Sequence, residues 1–368
     1  MLLMSLLLSG RSVAPRVRSV PEYSFTSGVE AVELAESVGL IPDEHQRAAV
    51  YDILAEGDDG KWSAFESAVL EPRQNGKGGI LEVVDLADLF LFSVAQRDFL
   101  SIHTAHEFKT AQEAFRRVLF WVENNDWLRK KVARIRTSHG EEGIELLTGA
   151  RLRFLARSNG SGRGFSADRL TYDEAYDLPE ETVAASLPIM SARPNPSLIY
   201  TSSAPLNDVK GAVLRRVMAR GRQEPEEKDG PPRRQDPNLC YIEYSADPKA
   251  DLDDEDEWRR ANPGVASGRI TIEFIAKERA ALSEVAFARE RLGILDENQG
   301  SSVIDLALWD EQGDELSSLL DPVAFAIDVS PDSAWSSIAV CGRRADRKMH
   351  VEVVERRRGT GWVIDRVE

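Results

Sequence analysis

Two rhythms of apolar positions take turns along the chain. Residues 29–56 carry apolar side chains at helical spacing, broken by Gly39 and Pro42, and predict two short helices. Residues 62–70 predict a strand that runs into a loop at 71–79. Helical spacing returns over 80–95, where Leu81, Val84, Leu86, Leu89, Phe90 and Val94 are apolar. A strand is expected at 99–105, an amphipathic helix at 107–122, and short strands at 143–147 and 151–156. A Gly/Ser-rich loop at 158–164 precedes a strand at 169–172, followed by a helix at 180–190, a strand at 197–202 and a helix at 208–220. Strands alternating with helices predict an α/β fold: a mostly parallel sheet flanked by helices on both faces.

The pattern changes at 223–237, a stretch rich in Pro, Glu, Lys, Arg and Asp that reads as an exposed insertion. Residues 255–295 read as helical except for a break at Asn262-Pro263-Gly264, and 296–302 read as a polar linker. Strands then dominate, at 323–329, 336–341 and 349–355. The expected organisation is a disordered leader over 1–22, an α/β core over 23–250, a helical subdomain and linker over 251–302, and a second domain over 303–368. The apolar start, residues 1–8, is followed by Arg11, Arg16 and Arg18, the reverse of the charge order in a signal peptide.

Charge narrows the functional classes. A formal net charge of -16 over 368 residues argues against a chain that coats nucleic acid through bulk positive charge, although a local basic surface or a ring of subunits remains compatible with DNA. Six acids fall within residues 251–257 and read as a solvated surface. Arg215, Arg216, Arg220 and Arg222 form a basic cluster that reads equally as a DNA grip or a solvated helix face. Cys240 and Cys341 have no neighbouring His, so neither a zinc site nor a disulfide framework is expected, as suits a reducing cytosol. No apolar stretch is long enough to span a membrane.

The chemistry concentrates in two places. Strand, then Glu71-Pro72-Arg73-Gln74-Asn75-Gly76-Lys77-Gly78, then helix is the context of a phosphate-binding loop. Backbone N–H groups and the helix N-terminus surround the anion, and the Lys77 ammonium reaches the terminal phosphates. The match is partial: Glu71 replaces the first glycine, and Gly78 replaces the hydroxyl residue that usually binds magnesium. The second place is Leu170-Thr171-Tyr172-Asp173-Glu174, a strand ending in two carboxylates. In a nucleotide hydrolase the first, Asp173, holds Mg2+ and the second, Glu174, takes a proton from the attacking water. Adjacent strand ends in a parallel sheet would bring loop and acids to the same carboxyl edge.

In this order, the motifs resemble those of the tailed-phage terminase large subunit, from about residue 20 to the end. That family uses a deviant phosphate loop with an arginine at its start, and Arg73 matches it. The resemblance implies that Arg73 stabilises charge within its own subunit, and that Gln46, in Glu44-His45-Gln46, reads the adenine of ATP. Arg163, in Gly162-Arg163-Gly164, would reach the neighbouring subunit's ATP in a ring, and Ser202, in Thr201-Ser202-Ser203, would sense the γ-phosphate. Trp258 through Asn262-Pro263 is similar to the Trp…Asn-Pro segment of these motors. The implied partners are double-stranded DNA, the portal protein, the terminase small subunit and other copies of the chain, in the host cytoplasm and transiently on the procapsid portal.

Residues 323–328, an apolar strand ending in Asp328, resemble the opening of the RNase H-like nuclease that terminases carry after the motor. Asp328 would be the first metal ligand of a site for Mg2+ or Mn2+, in which several carboxylates hold two ions about 4 Å apart. The other ligands of the family lie further downstream, so the chain is expected to be cut short within this domain. Other readings remain open: a different phosphate-loop ATPase such as a helicase, or a catalytically impaired prophage remnant.

Overall fold

The computed structural model describes residues 14–94, 96, 98–157, 166–205, 211–225, 232–295, 309, 311–314, 316–330 and 333–367. The chain divides into two compact units, Met1–Ser301 and Ser302–Glu368.

In the first unit the strands are β1 (Val17–Ser19), β2 (Phe25–Thr26), β3 (Ala55–Glu56), β4 (Glu66–Leu70), β5 (Leu100–Ala105), β6 (Val132–Arg136), β7 (Gly143–Leu146), β8 (Arg151–Ala156), β9 (Arg169–Asp173), β10 (Ser197–Ser202) and β11 (Leu239–Glu243). Its helices are α1 (Gly28–Ser37), α2 (Glu44–Ile53), α3 (Lys77–Phe90), α4 (Phe108–Glu123), α5 (Asp126–Arg129), α6 (Glu180–Ser186), α7 (Ala212–Gly221), α8 (Glu255–Ala261), α9 (Ile272–Ala281) and α10 (Glu284–Leu292).

One nine-stranded sheet runs in the order β1-β11-β4-β10-β9-β5-β8-β7-β6, and β2 and β3 form a separate ribbon. From β11 to β8 neighbouring strands are parallel, with antiparallel pairs only at the two edges. Side-chain alternation builds the layers. Ala68, Leu70, Leu198, Tyr200, Leu239 and Tyr241 pack with α7 in one core. The residues between them, Val69, Ile199, Cys240 and Ile242, pack with α1, α2 and α3 in another. The mostly parallel sheet with helices on both faces is as the sequence predicts.

Several expectations are corrected. Residues 17–19 of the expected leader form an edge strand on β11, because Arg16 pairs with Glu243 and Arg18 with Asp52. Residues 1–13 lie outside the described residues. α3 begins at Lys77 rather than Ile80, since the phosphate loop passes directly into the helix. β6 and β11 were not anticipated; both are five residues long and lack a strong period. The strands carrying the loop and the acid pair are not adjacent, because β10 lies between β4 and β9. Glu257, at the end of the acidic run, is buried and accepts a hydrogen bond from the Asp247 amide. Within the arginine cluster, Arg216 pairs with Glu180, Arg220 with Glu66 and Asp236, and Arg222 with Glu243.

α8, α9 and α10 enclose a small core of their own around Trp258, Ile275, Phe287 and Leu292. In the second unit, β12 (Leu320–Val329), β13 (Trp335–Arg343) and β14 (Met349–Arg358) form an antiparallel meander, followed by α11 (Trp362–Val367).

Candidate active site

The register of the parallel strands sets the site. Leu70, the last residue of β4, lies beside Ser202 of β10, and Asp173, the last of β9, lies beside Ala105 of β5. The loop leaving β4 and the acid pair leaving β9 therefore emerge at the same carboxyl edge, where open α/β sheets bind ligands.

The loop wraps the start of α3. Gly76 takes a φ of +116°, and a Cβ there would come within 2.6 Å of Gln46 Nε2. Only glycine suits both the backbone and the close approach. Gln46 bridges two elements: its Nε2 donates to the Gly76 carbonyl at 2.8 Å, and its Oε1 accepts from the Asp43 amide at 2.7 Å. Lys77 folds back onto its own loop, donating to the carbonyls of Glu71 and Pro72 at 2.8 and 3.1 Å. Burial lowers its pKa, against the upward pull of Glu71, Asp173 and Glu174, so the ammonium sits within the field of the acid pair. The Glu71 side chain is buried, and burial pushes its carboxyl up to about 7 in spite of Lys77.

Asn75 is buried and joins the loop to a distant segment, its Nδ2 also donating to the Pro72 carbonyl at 3.2 Å. Its Nδ2 donates to Asn262 Oδ1 at 2.9 Å, and its Oδ1 accepts from the Gly264 amide at 2.9 Å. Arg291 adds a bond from Nη1 to the Arg73 carbonyl at 3.2 Å. The Arg73 side chain pairs with Glu290 at 3.0 Å. Thus the Trp258…Asn262-Pro263 segment grips the back of the phosphate loop. Gln74 is exposed and has a φ of 66°.

Asp173 is held from three sides. Its Oδ1 accepts from Thr201 Oγ1 at 2.6 Å and from the Glu174 amide at 2.9 Å, while His103 Nε2 stands 4.0 Å from Oδ2. Burial works against its charge, but His103 and Thr201 outweigh it and keep the carboxyl below its usual range. His103 Nδ1 lies 2.8 Å from Asp85 Oδ2, and both of these side chains are buried. Burial disfavours the His103 cation, yet the two carboxylates push its pKa up to about 10. Glu174 moves the other way: burial, then the charge of Asp173, raises its pKa. A recess of about 310 Å³ opens here, lined by Gly78, Asp85, His103, Lys109, Arg117, Asp173 and Glu174 among others.

Sequence reasoning placed Thr201 in the γ-phosphate-sensing motif but not beside Asp173, and it missed His103, Asp85 and Arg157, whose Nη2 donates to the Glu174 carbonyl at 2.7 Å. Ser202 is buried, its Oγ has no hydrogen-bond partner, and its carbonyl accepts from the Glu71 amide at 3.1 Å. Arg163 lies outside the described residues. Asp328 belongs to the other unit and is exposed on β12, and among the described residues no group of three or more His, Cys, Asp or Glu is arranged to hold a metal. That unit therefore presents no formed metal site among its described residues.

The residues at the first site fit a nucleotide and its metal. The buried Ser202 Oγ lacks an acceptor or donor, and Asp173 offers the hard oxygen that Mg2+ prefers.

No protein-family model matches the chain, and no curated protein matches it. Solved structures do. The large terminase of bacteriophage HK97 superposes with a TM-score of 0.60 at 20% identity, covering 89% of this chain and 67% of that one. The ATPase domain of the large terminase of Thermus phage P74-26 gives a TM-score of 0.49 at 16% identity, covering 70% of this chain and 96% of that one. This chain has the fold of the tailed-phage large terminase.

Proposed function

We propose that this chain is the large subunit of a tailed-phage terminase, and that its first unit hydrolyses ATP to drive double-stranded DNA into a procapsid. The observation that carries the reading is that the loop holding Lys77 and the Asp173–Glu174 pair leave parallel strands at one sheet edge. The Lys77 ammonium and the N–H groups at the start of α3 suit the terminal phosphates of ATP. Lys77 now bonds two loop carbonyls, and it would exchange them for phosphate oxygens. Asp173 would hold Mg2+, whose charge, when bound, neutralises that of the phosphates. Thr201 and His103 keep Asp173 ionised and aimed for that purpose.

Glu174 takes the proton from the attacking water, a role that its raised pKa suits. Gln46 would serve the adenine side, Ser202 the γ-phosphate, and Arg73 the developing charge. Arg163 would act on a neighbouring subunit's ATP in a homo-oligomeric ring. The partners would be the portal protein and the terminase small subunit, in the host cytoplasm and transiently on the procapsid. Among the described residues no helix is long and apolar enough to cross a membrane.

Steady-state ATPase assays test the reading. Lys77→Ala should abolish turnover, Glu174→Gln should lower it about 100-fold or more, and wild-type activity should rise more steeply than protein concentration. Mixing Arg163→Ala with Glu174→Gln subunits should restore part of the rate, since each supplies what the other lacks. Wild-type protein that binds no ATP would end the motor reading and favour an inactive assembly protein.

A further inference from the structure

The missing hydroxyl at position 78 has a structural counterpart. Gly78 is the second residue of α3, in the place where phosphate loops carry the Ser or Thr that binds the metal. A Cβ built on Gly78 would come within 2.5 Å of Arg117 Nη1. The guanidinium, reaching across from the middle of α4, already fills the space that a side chain at 78 would take.

That position is electrostatically odd for a cation. The N-terminus of α3 carries the positive end of the helix dipole, and Lys77 is the adjoining residue. Both repel a guanidinium. Two carboxylates offset this only in part. Glu82 stands 3.5 Å from Nη1 and Glu113 3.6 Å from Nε, beyond the 2.7–2.9 Å typical of tight charge-assisted bonds. Glu82 is itself engaged by Trp121 Nε1 at 2.9 Å. Arg117 is about half exposed and opens into the recess that also holds Asp173 and Glu174. A loosely paired cation over a helix N-terminus beside a lysine is an arrangement that an incoming polyphosphate would turn from repulsive to favourable.

We propose that Arg117 is a phosphate-binding residue of the nucleotide site, and that it stands in for the hydroxyl that Gly78 lacks. In loops with Ser or Thr at this place, the hydroxyl meets the phosphates through the metal; here a guanidinium meets their oxygens directly, and the glycine leaves room for it. The inference rests on the nucleotide reading above.

The test is equilibrium binding of ATPγS with Mg2+, together with steady-state ATPase, for wild type, Lys77→Ala, Arg117→Ala, Arg117→Gln, Arg117→Lys and the double variant Gly78→Ser/Arg117→Ala. Arg117→Ala should weaken ATPγS binding about ten-fold or more, the usual scale for a charge-assisted contact. Arg117→Gln should do the same while keeping the side-chain stem, which covers the case of a poorly folded alanine variant. Arg117→Lys should recover part of the affinity. The double variant, which returns a hydroxyl to emptied space, should bind more tightly than Arg117→Ala and should need less Mg2+ for half-maximal turnover. Wild-type affinity in Arg117→Ala and Arg117→Gln, with Lys77→Ala still impaired, would overturn the role of Arg117 alone. A double variant no better than Arg117→Ala would overturn the substitution for the hydroxyl. Wild-type protein that fails to bind ATPγS would remove the nucleotide reading and this inference with it.

Discussion

Glu174 has a φ of 55° and a ψ of 52°, a left-handed conformation that side-chain-bearing residues seldom adopt. Strain of this kind costs roughly 1–3 kcal/mol and persists where the surroundings enforce it. Two bonds do so here: the Glu174 amide donates to Asp173 Oδ1, and Arg157 Nη2 donates to the Glu174 carbonyl. The twist places two adjacent acids in different environments. Asp173 is kept ionised by His103 and Thr201, whereas Glu174 is shifted toward protonation by burial and by its neighbour's charge. A base must be ionised to accept a proton, so the acid limb of the pH–kcat profile should lie above the usual glutamate value of 4.5. Turnover should fall as pH drops through that limb, and Glu174→Gln should lower kcat about 100-fold or more and flatten it. Measuring kcat from mildly acidic to neutral pH decides the matter, and an unchanged limb in Glu174→Gln would assign it to another group.

At the scale of elements, α8 and α10 brace the phosphate loop. Asn262 is fully buried: its Nδ2 donates to the carbonyls of Trp258 and Arg291 at 2.8 and 3.0 Å, and its Oδ1 accepts from Asn75. Removing it strands buried polar groups on both sides, at a cost of about 1–3 kcal/mol. Urea unfolding of Asn262→Ala, Asn75→Ala and the double variant should show the double change costing less than the two single changes together. Simple additivity would mean that the two side chains do not depend on each other. This brace also marks the limit of what the sequence discloses. The phosphate loop and acid pair were legible because each is a short run whose chemistry is local: glycines and a lysine at a helix start, two carboxylates at a strand end. Asn262-Pro263 was visible as a break between helices, but its hold on Asn75 spans 187 positions. His103 and Asp85 sit inside apolar runs on β5 and α3, where only the pairing of β5 with β9 gives them meaning. Thr201 gains its role because β10 inserts between β4 and β9, an order that local spacing does not encode. Arg117 reads in sequence as one more polar position on an amphipathic helix.

Across the whole first unit, one carboxylate ties together segments far apart in the chain. Glu243 at the end of β11 is 1% exposed and meets Arg16 beside β1, Arg222 after α7, Tyr241 and Ser245. Burial opposes its charge, but Arg222 and Arg16 prevail and hold its pKa down to about 2, against 4.5 for an ordinary glutamate. The folded state thus favours the ionised form, and the resulting stability is present above about pH 4.5 and is lost as pH falls through 2. A difference of this size corresponds to about 3 kcal/mol. The net charge of -16 acts in the opposite sense at first, because mild acid relieves repulsion among the excess acids. Acid sensitivity must therefore come from specific buried groups, Glu243 among them, rather than from overall charge. Glu243→Gln should be less stable than wild type by a few kcal/mol at neutral pH, and the gap should close progressively between pH 4.5 and 2. Denaturant unfolding at a series of pH values measures that gap directly. A gap that stays constant with pH would mean that Glu243 joins β1, α7 and β11 through shape and hydrogen bonding rather than through its charge.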